Sequence, residues 1–137
     1  LCFGCHLLCK ENGIQNISID LIYGLPGQTL EEWQENLDDA IRLEIPHISA
    51  YHLIYEEGTA LYKLMEAGKV TPIEEDLSVT LFSTLINRLT EAGYLHYEIS
   101  NFGRPGYFSR HNSSYWTGTK YLPFPATYKG SRQAFPI

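Results

Sequence analysis

The chain has 137 residues, enough for one domain with its own hydrophobic core. Sixteen acidic against ten basic side chains give a net charge of −6, which argues against nucleic acid or an anionic membrane as a partner. No apolar run approaches a membrane span, and the three cysteines all lie within the first nine residues, which excludes a disulfide framework. A cytoplasmic location is expected. Because the sequence starts at Leu1 and its only methionine is Met65, a processed or partial chain is also expected.

Apolar spacing and turn residues predict alternating helices and strands. Gly13 stands where a helix C-cap is expected, and Thr29 with Glu32 has the spacing of a capping box. In chain order the predicted elements are a helix over 1–12, a buried strand over 17–22, a helix over 30–43, a strand over 47–54, a short helix after Thr59 that Gly68 ends, a longer helix from the acidic residues 74–76 to Ala92, a strand over 94–100 and a loop-rich tail.

Strands separated by helices predict an α/β fold with parallel strands and covering helices on both faces of the sheet. Three strands are too few to close a barrel of this kind. We therefore expect a barrel fragment with an open sheet edge, and self-association through that edge.

Asp20 is an acidic residue within the apolar strand over 17–22. Burying a carboxylate without a partner is costly, so Asp20 is expected either to meet a ligand hydroxyl, a cation or a backbone donor, or to cap a neighbouring loop. Residue type and spacing favour neither alternative. Gly24 and Gly27 are interpreted as turn residues, because the Lys-Ser/Thr pair of a phosphate-binding loop does not follow them.

A second candidate site follows the last predicted strand, where Glu98 precedes Arg110, His111 and Asn112 beside aromatic residues. Arg pairs with carboxylates and aromatic rings stack on flat surfaces, so this mixture suits a carboxylated or planar ligand. The alternative, which we favour from pattern alone, is that the aromatic residues fill core and that Arg110 bridges a loop to Glu98.

Cys2, Cys5 and Cys9 have the spacing of a metal set but fall on one stripe of the predicted first helix. Iron–sulfur ligands usually come from loops that wrap the cluster, so a core or interface stripe is the favoured interpretation. No metal ligand is assigned.

Three parts of the sequence together resemble the oxygen-independent coproporphyrinogen III oxidase family of radical SAM proteins, especially its HemW-like haem-chaperone branch. They read NISIDLIYGLPGQT at 16–29, HISAYHL at 47–53, and YEISNF at 97–102 continuing to SRHNSSYW at 109–116. The resemblance covers about residues 13–122, in family order.

The resemblance implies a partial (β/α)6 TIM-like barrel in which three cysteines hold a [4Fe–4S] cluster and the open iron binds S-adenosylmethionine. In the oxidases a 5′-deoxyadenosyl radical then removes hydrogen from porphyrinogen propionates. The chaperone branch implies haem binding instead. Porphyrin or haem is therefore the expected ligand of the longer protein.

The family's cluster signature, C-x3-C-x2-C, is absent, and the sequence after Leu122 departs from the family pattern. Residues 1–122 are therefore expected to be the rear half of the barrel and 123–137 a divergent tail. Such a chain is expected to be inactive alone and to bind no cofactor tightly.

Site residues are carried over position by position from the resemblance. Asp20 matches the family aspartate that contacts the ribose of S-adenosylmethionine, and Ile22 and Tyr51 match strand positions near the nucleoside. Arg110, His111 and Asn112 match a segment near the barrel mouth and are the candidate substrate or ligand residues.

Overall fold

The computed structural model describes residues 3–109, which form four helices and four strands. Arg110, His111, Asn112 and the tail predicted over 123–137 lie outside the described residues. In chain order the elements are α1 (Phe3–Glu11), β1 (Ser18–Tyr23), α2 (Leu30–Arg42), β2 (His47–His52), α3 (Ala60–Glu66), α4 (Glu75–Glu91), β3 (Leu95–Glu98) and β4 (Asn101–Gly103).

Local signals in the sequence set the ends of the helices. The predicted capping box of α2 is confirmed: Thr29 Oγ1 accepts from the backbone N–H of Glu32 at 3.2 Å, and Glu32 Oε2 accepts from the N–H of Thr29 at 3.0 Å. Gly13 follows α1 with a φ of 80°, in the left-handed region that glycine adopts without strain. Gly68 follows α3 with a φ of 67°, so the predicted end of that helix is also confirmed.

The four strands form one sheet in the order β1-β2-β4-β3. The parallel arrangement predicted for the first two strands is confirmed, with Ser18 opposite His47 and Tyr23 opposite His52. The prediction of a single parallel strand over 94–100 is wrong. The chain reverses after Glu98, and β4 returns antiparallel between β2 and β3. Glu98 Oε2 stabilises this reversal by accepting from the backbone N–H of Ser100 at 3.3 Å.

One face of the sheet packs against α2 and α4 and forms the hydrophobic core. Two hydrogen bonds anchor large buried side chains there: Trp33 Nε1 donates to the carbonyl of Leu81 at 3.0 Å, and the Tyr94 hydroxyl donates to the carbonyl of Ile45 at 2.6 Å. The buried apolar residues are Leu21, Tyr23, Trp33, Leu37, Ala40, Ile45, Ile48, Ala50, Leu81, Leu85, Leu89, Tyr94 and Phe102.

The opposite face of β1 is exposed at Ser18, Asp20 and Ile22, so the prediction of a strand buried on both faces is wrong. Since side chains alternate along a strand, only Leu21, Tyr23 and the half-buried Ile19 point into the core. β1 also forms the sheet's edge, with β2 as its strand partner within residues 3–109. Self-association through this edge stays a prediction. None of the helices in the described part of the chain has the length and apolarity needed to cross a bilayer.

Candidate functional site

The face of the sheet opposite the helices carries most of the candidate site residues, and we call it the polar face. Its members come from all four strands because the strand register places alternate residues side by side. They are Ser18, Asp20, Ile22, His47, Ser49, Tyr51, Tyr97, Glu98 and Asn101.

Asp20 lies in the middle of β1 on the polar face, directly opposite Ser49 of β2. Its side chain is exposed, so the expectation of a costly buried carboxylate is wrong. Alternation along the strand explains this outcome, because the apolar neighbours Ile19 and Leu21 point to the other side of the sheet. Asp20 is therefore free of a burial penalty and accessible to a ligand.

Ile22 and Tyr51 are register partners one step further along the parallel strands. Ile22 is 52% exposed and Tyr51 is 44% exposed, which is unusual for large apolar and aromatic side chains on a strand. The structure therefore places Asp20, Ile22 and Tyr51 on one accessible surface. That surface runs toward the carboxyl ends of β1 and β2, the end at which β/α folds bind ligands.

His47 stands at the other end of the polar face and joins three segments through its ring. Its Nδ1 lies 2.7 Å from Ser18 Oγ, and its Nε2 lies 2.6 Å from the hydroxyl of Tyr97. The side chain is only 6% exposed, and burial lowers the pKa of His47, while the negative charge of Asp20 raises it. The ring is therefore favoured in its neutral form, with both nitrogens hydrogen-bonded.

A β-bulge in β3 directs Tyr97 and Glu98 to the polar face together. The register between β3 and β4 shifts between His96 and Glu98. His96 stacks on the buried ring of Phe102 at 4.3 Å, on the core side, whereas Tyr97 bonds His47 on the polar side. Such a shift allows two successive side chains to share one face of a sheet.

Glu98 takes part in a short chain of hydrogen bonds across the polar face. Ser49 Oγ donates to Asn101 Oδ1 at 3.0 Å, and Asn101 Nδ2 donates to Glu98 Oε2. Ser49 and Asn101 are both buried, so these bonds satisfy polar groups that water does not reach. The expected bridge from Arg110 to Glu98 falls on a residue outside the described part of the chain.

A cleft of about 650 Å³ opens beside His47, near the amino-terminal ends of the parallel strands. Its size is within the usual range for small-molecule sites. The lining combines short polar side chains with two aromatic rings: Asn16, Ser18, His47, Ser49, Tyr107 and Phe108.

The turn after β1 is held by Gln28, whose Oε1 accepts the backbone N–H of Gly24 at 2.8 Å and of Leu25 at 3.3 Å. Gly24 has a φ of 80° and Gly27 a φ of 74°, so the interpretation of both as turn residues is confirmed. A Cβ on Gly24 would lie 2.7 Å from Nε2 of His52, which itself lies 2.7 Å from Ser78 Oγ. This turn therefore needs glycine for space as well as for conformation.

The cysteines on α1 are not core residues. Cys5 is exposed and Cys9 is half-buried, and with His6 they line a small apolar cleft against the start of β1. Neither residue is therefore buried in the core, Cys2 lies outside the described residues, and an interface stripe stays a prediction. His6 is 93% buried, and its ring nitrogens have no hydrogen-bond partner among residues 3–109. The described residues include no group of three or more His, Cys, Asp or Glu placed to hold a metal ion.

The contact of His47 with Ser18 and Tyr97 was not predicted from the sequence. The signal for the first two was present, because Ser18 and His47 are polar residues near the start of the two predicted parallel strands. The contribution of Tyr97 depends on the bulge in β3 and on the reversal into β4, for which residues 94–100 carry no clear local signal.

Comparison with known proteins agrees with the fold and with the resemblance seen in the sequence. No family model matches the chain. The E. coli structure described as coproporphyrinogen III oxidase (HemN), a radical SAM enzyme, superimposes with a TM-score of 0.67 at 23% identity, over 85% of this chain and 26% of that one. This likeness concerns the fold, which is a mixed α/β arrangement.

Curated relatives are closer in sequence. The haem chaperone HemW of Lactococcus lactis is 38% identical over 121 residues, which are 88% of this chain and 32% of that protein. HemW of Synechocystis is 42% identical over 83% of this chain and 27% of its own length. A Danio rerio protein named radical S-adenosyl methionine domain-containing protein 1, mitochondrial, is 37% identical over 77% of this chain and 24% of its own length.

These similarities define a chain of the radical SAM class. Within that class, the chain belongs to the HemN/HemW-like family. It spans about a third of the length of the Lactococcus and Bacillus haem chaperones that it matches. Since one relative is named as mitochondrial, the cytoplasmic location stays a prediction.

Proposed function

We propose that this chain forms part of the wall of a partial (β/α)6 radical SAM barrel and that its polar face contacts the nucleoside of S-adenosylmethionine. The observation that supports this proposal is that Asp20, Ile22 and Tyr51 share one accessible surface on two neighbouring parallel strands. In the barrel, β1 with α2 and β2 with α3 and α4 are successive β/α units.

The chemistry of these side chains suits a nucleoside. The exposed carboxylate of Asp20 accepts hydrogen bonds from the two ribose hydroxyls, and charge-assisted bonds of this kind are the stronger ones. Ile22 and Tyr51 offer an apolar and an aromatic surface to the adenine ring. When bound in a radical SAM protein, S-adenosylmethionine supplies the radical chemistry. Residues 3–109 include no group of three or more His, Cys, Asp or Glu placed to hold a metal ion, and the proposal assigns none of them as a ligand of the [4Fe–4S] cluster.

The nucleoside contact is tested by nuclear magnetic resonance titration of the chain with S-adenosylhomocysteine, a stable analogue. We expect chemical-shift changes centred on the amides of Asp20 and Tyr51 and on the methyl groups of Ile22. Asp20→Asn should weaken binding by about tenfold or more, because it removes a charged acceptor. Asp76→Asn, the same change in the first turn of α4, serves as the control. Shift changes that map elsewhere, or equal effects of the two variants, would contradict the proposal.

For the longer protein we propose haem binding as its activity, with porphyrinogen oxidation as the second candidate. The haem proposal is supported by relatives named haem chaperones, and the oxidase proposal by the fold likeness to coproporphyrinogen III oxidase. His47 is a poor axial ligand, because both of its ring nitrogens already have partners. His111, with Arg110 and Asn112, remains the proposed ligand segment.

The two candidates are separated by titrating the longer protein with haem and following its absorbance. Saturable binding that is lost on His111→Ala, together with no turnover of coproporphyrinogen III, supports the chaperone assignment. Turnover of coproporphyrinogen III supports the oxidase. Haem binding that is unchanged in the variant would contradict the role proposed for His111.

A further inference from the structure

The pair formed by Tyr97 and His47 is the feature of the polar face that the nucleoside proposal does not use. The phenol oxygen lies 2.6 Å from Nε2 of the imidazole, and the ring centres are 5.9 Å apart at an interplanar angle of 53°. The two residues come from strands that are not adjacent in the sheet, because β4 lies between β2 and β3. The bulge in β3 is what brings the phenol to the histidine.

The direction of this hydrogen bond follows from the other partners of the two groups. The Tyr97 oxygen already accepts the backbone N–H of Ser109 at 3.2 Å. Within the described residues, the hydroxyl hydrogen then has one acceptor, Nε2 of His47. The neutral ring therefore carries its own hydrogen on Nδ1, which donates to Ser18 Oγ at 2.7 Å. Burial supports this assignment, since it lowers the pKa of His47.

We propose that Tyr97 is a redox-active tyrosine, oxidised by one electron while its hydroxyl proton moves to Nε2 of His47. The electron passes to a strong outer-sphere one-electron oxidant, such as a ruthenium(III) polypyridyl complex, which is reduced to ruthenium(II). The O–H bond of Tyr97 breaks and an N–H bond forms on His47, which leaves a neutral tyrosyl radical and an imidazolium.

The surroundings of the pair act on both products. Burial lowers the pKa of His47 and so disfavours the imidazolium, whereas its hydrogen bond to Ser18 and the negative charge of Asp20, the titratable group that acts on it from β1, stabilise it. The ring of Phe108 lies 4.9 Å from that of Tyr97, and the phenol is half-buried, which limits contact of the radical with other molecules.

Tyr94 is a useful comparison with Tyr97. Its hydroxyl also makes a hydrogen bond of 2.6 Å, but the acceptor is the backbone carbonyl of Ile45. A carbonyl oxygen is too weak a base to take the phenol proton, whereas a neutral imidazole is the usual proton acceptor near neutral pH. Of these two tyrosines, Tyr97 and not the more deeply buried Tyr94 therefore has a base placed to accept its proton.

The test uses the chain itself with photogenerated ruthenium(III) tris(bipyridine), a cobalt(III) quencher and electron paramagnetic resonance. We expect a neutral tyrosyl radical whose long-lived component disappears in Tyr97→Phe and persists in Tyr62→Phe, the same change on α3. His47→Gln keeps a polar partner but removes the base, so it should slow radical formation by about tenfold or more. A long-lived radical that survives in Tyr97→Phe, or an unchanged rate in His47→Gln, overturns the proposal.

A measurement on the unaltered chain keeps the proposal testable if a variant fails to fold. After exchange into deuterated water, electron–nuclear double resonance should detect two exchangeable deuterons hydrogen-bonded to the radical oxygen, a weakly coupled one from the amide of Ser109 and a more strongly coupled one from His47. A radical that shows only one such coupling overturns the proposal. The added oxidant acts without S-adenosylmethionine, so this result is independent of the nucleoside-binding proposal.

Discussion

Removing the hydroxyl of Tyr94 tests whether its long-range hydrogen bond to the carbonyl of Ile45 stabilises the fold. Tyr94 is 1% exposed and donates at 2.6 Å to the carbonyl of Ile45, which is itself buried. Burial raises the pKa of Tyr94, so the phenol remains a donor at neutral pH. Tyr94→Phe keeps the ring and its contact with the guanidinium of Arg104, 5.0 Å from the ring centre, and removes the hydroxyl.

The expected cost follows from leaving a buried carbonyl without a partner. Such a loss is worth about 1–3 kcal/mol of unfolding free energy, more than the net value of a hydrogen bond exchanged with water. For a domain of this size each kcal/mol lowers the melting temperature by about 4 °C, so the shift should be ~4–12 °C.

Urea unfolding of Tyr94→Phe, followed by circular dichroism and by tryptophan fluorescence, measures this cost. Tyr62→Phe on the surface helix α3 is the matched control and should change the unfolding free energy by less than about 0.5 kcal/mol. Equal effects of the two changes would refute the reasoning, because the phenol of Tyr94 would then have no special role in the fold.

Two further predictions concern the turn after β1 and the buried histidine. Gly24→Ala should lower the unfolding free energy by about 2 kcal/mol or more, because residue 24 has a left-handed backbone and the new Cβ would lie 2.7 Å from His52. Gly27 has a similar φ but open space around it, so Gly27→Ala should lower the unfolding free energy by only about 1 kcal/mol. Equal losses for the two variants in urea unfolding would exclude an effect of the contact with His52. Because burial lowers the pKa of His47, its stabilising contribution should be complete above the unfolded-state pKa of about 6.5 and be lost as the pH falls through the lower folded-state pKa. His47→Gln should therefore flatten the fall in stability that we expect for the unaltered chain below about pH 6.5, measured by denaturation at a series of pH values, and an identical fall in both would count against this role.

Short-range signals in the sequence were enough to predict the ends of two helices and the pairing of two strands. The ends of α2 and α3 were predictable because a capping box and a left-handed glycine act within about four residues. The parallel pairing of β1 and β2 was predictable because a helix separates two apolar strands. The family resemblance rested on motifs at 16–29, 47–53, 97–102 and 109–116, and it agrees with the relatives.

Only the tertiary structure decided which residues share the polar face. The sequence shows Asp20 among apolar neighbours, but the pleat of β1 exposes it because α2 and α4 pack against the opposite face. The reversal after Glu98 inserts β4 between β2 and β3, and the bulge turns Tyr97 toward His47, 50 residues away in the chain. Contacts at such separations depend on how strands pair across the whole sheet, and that pairing leaves no signal in the few residues on either side of Tyr97.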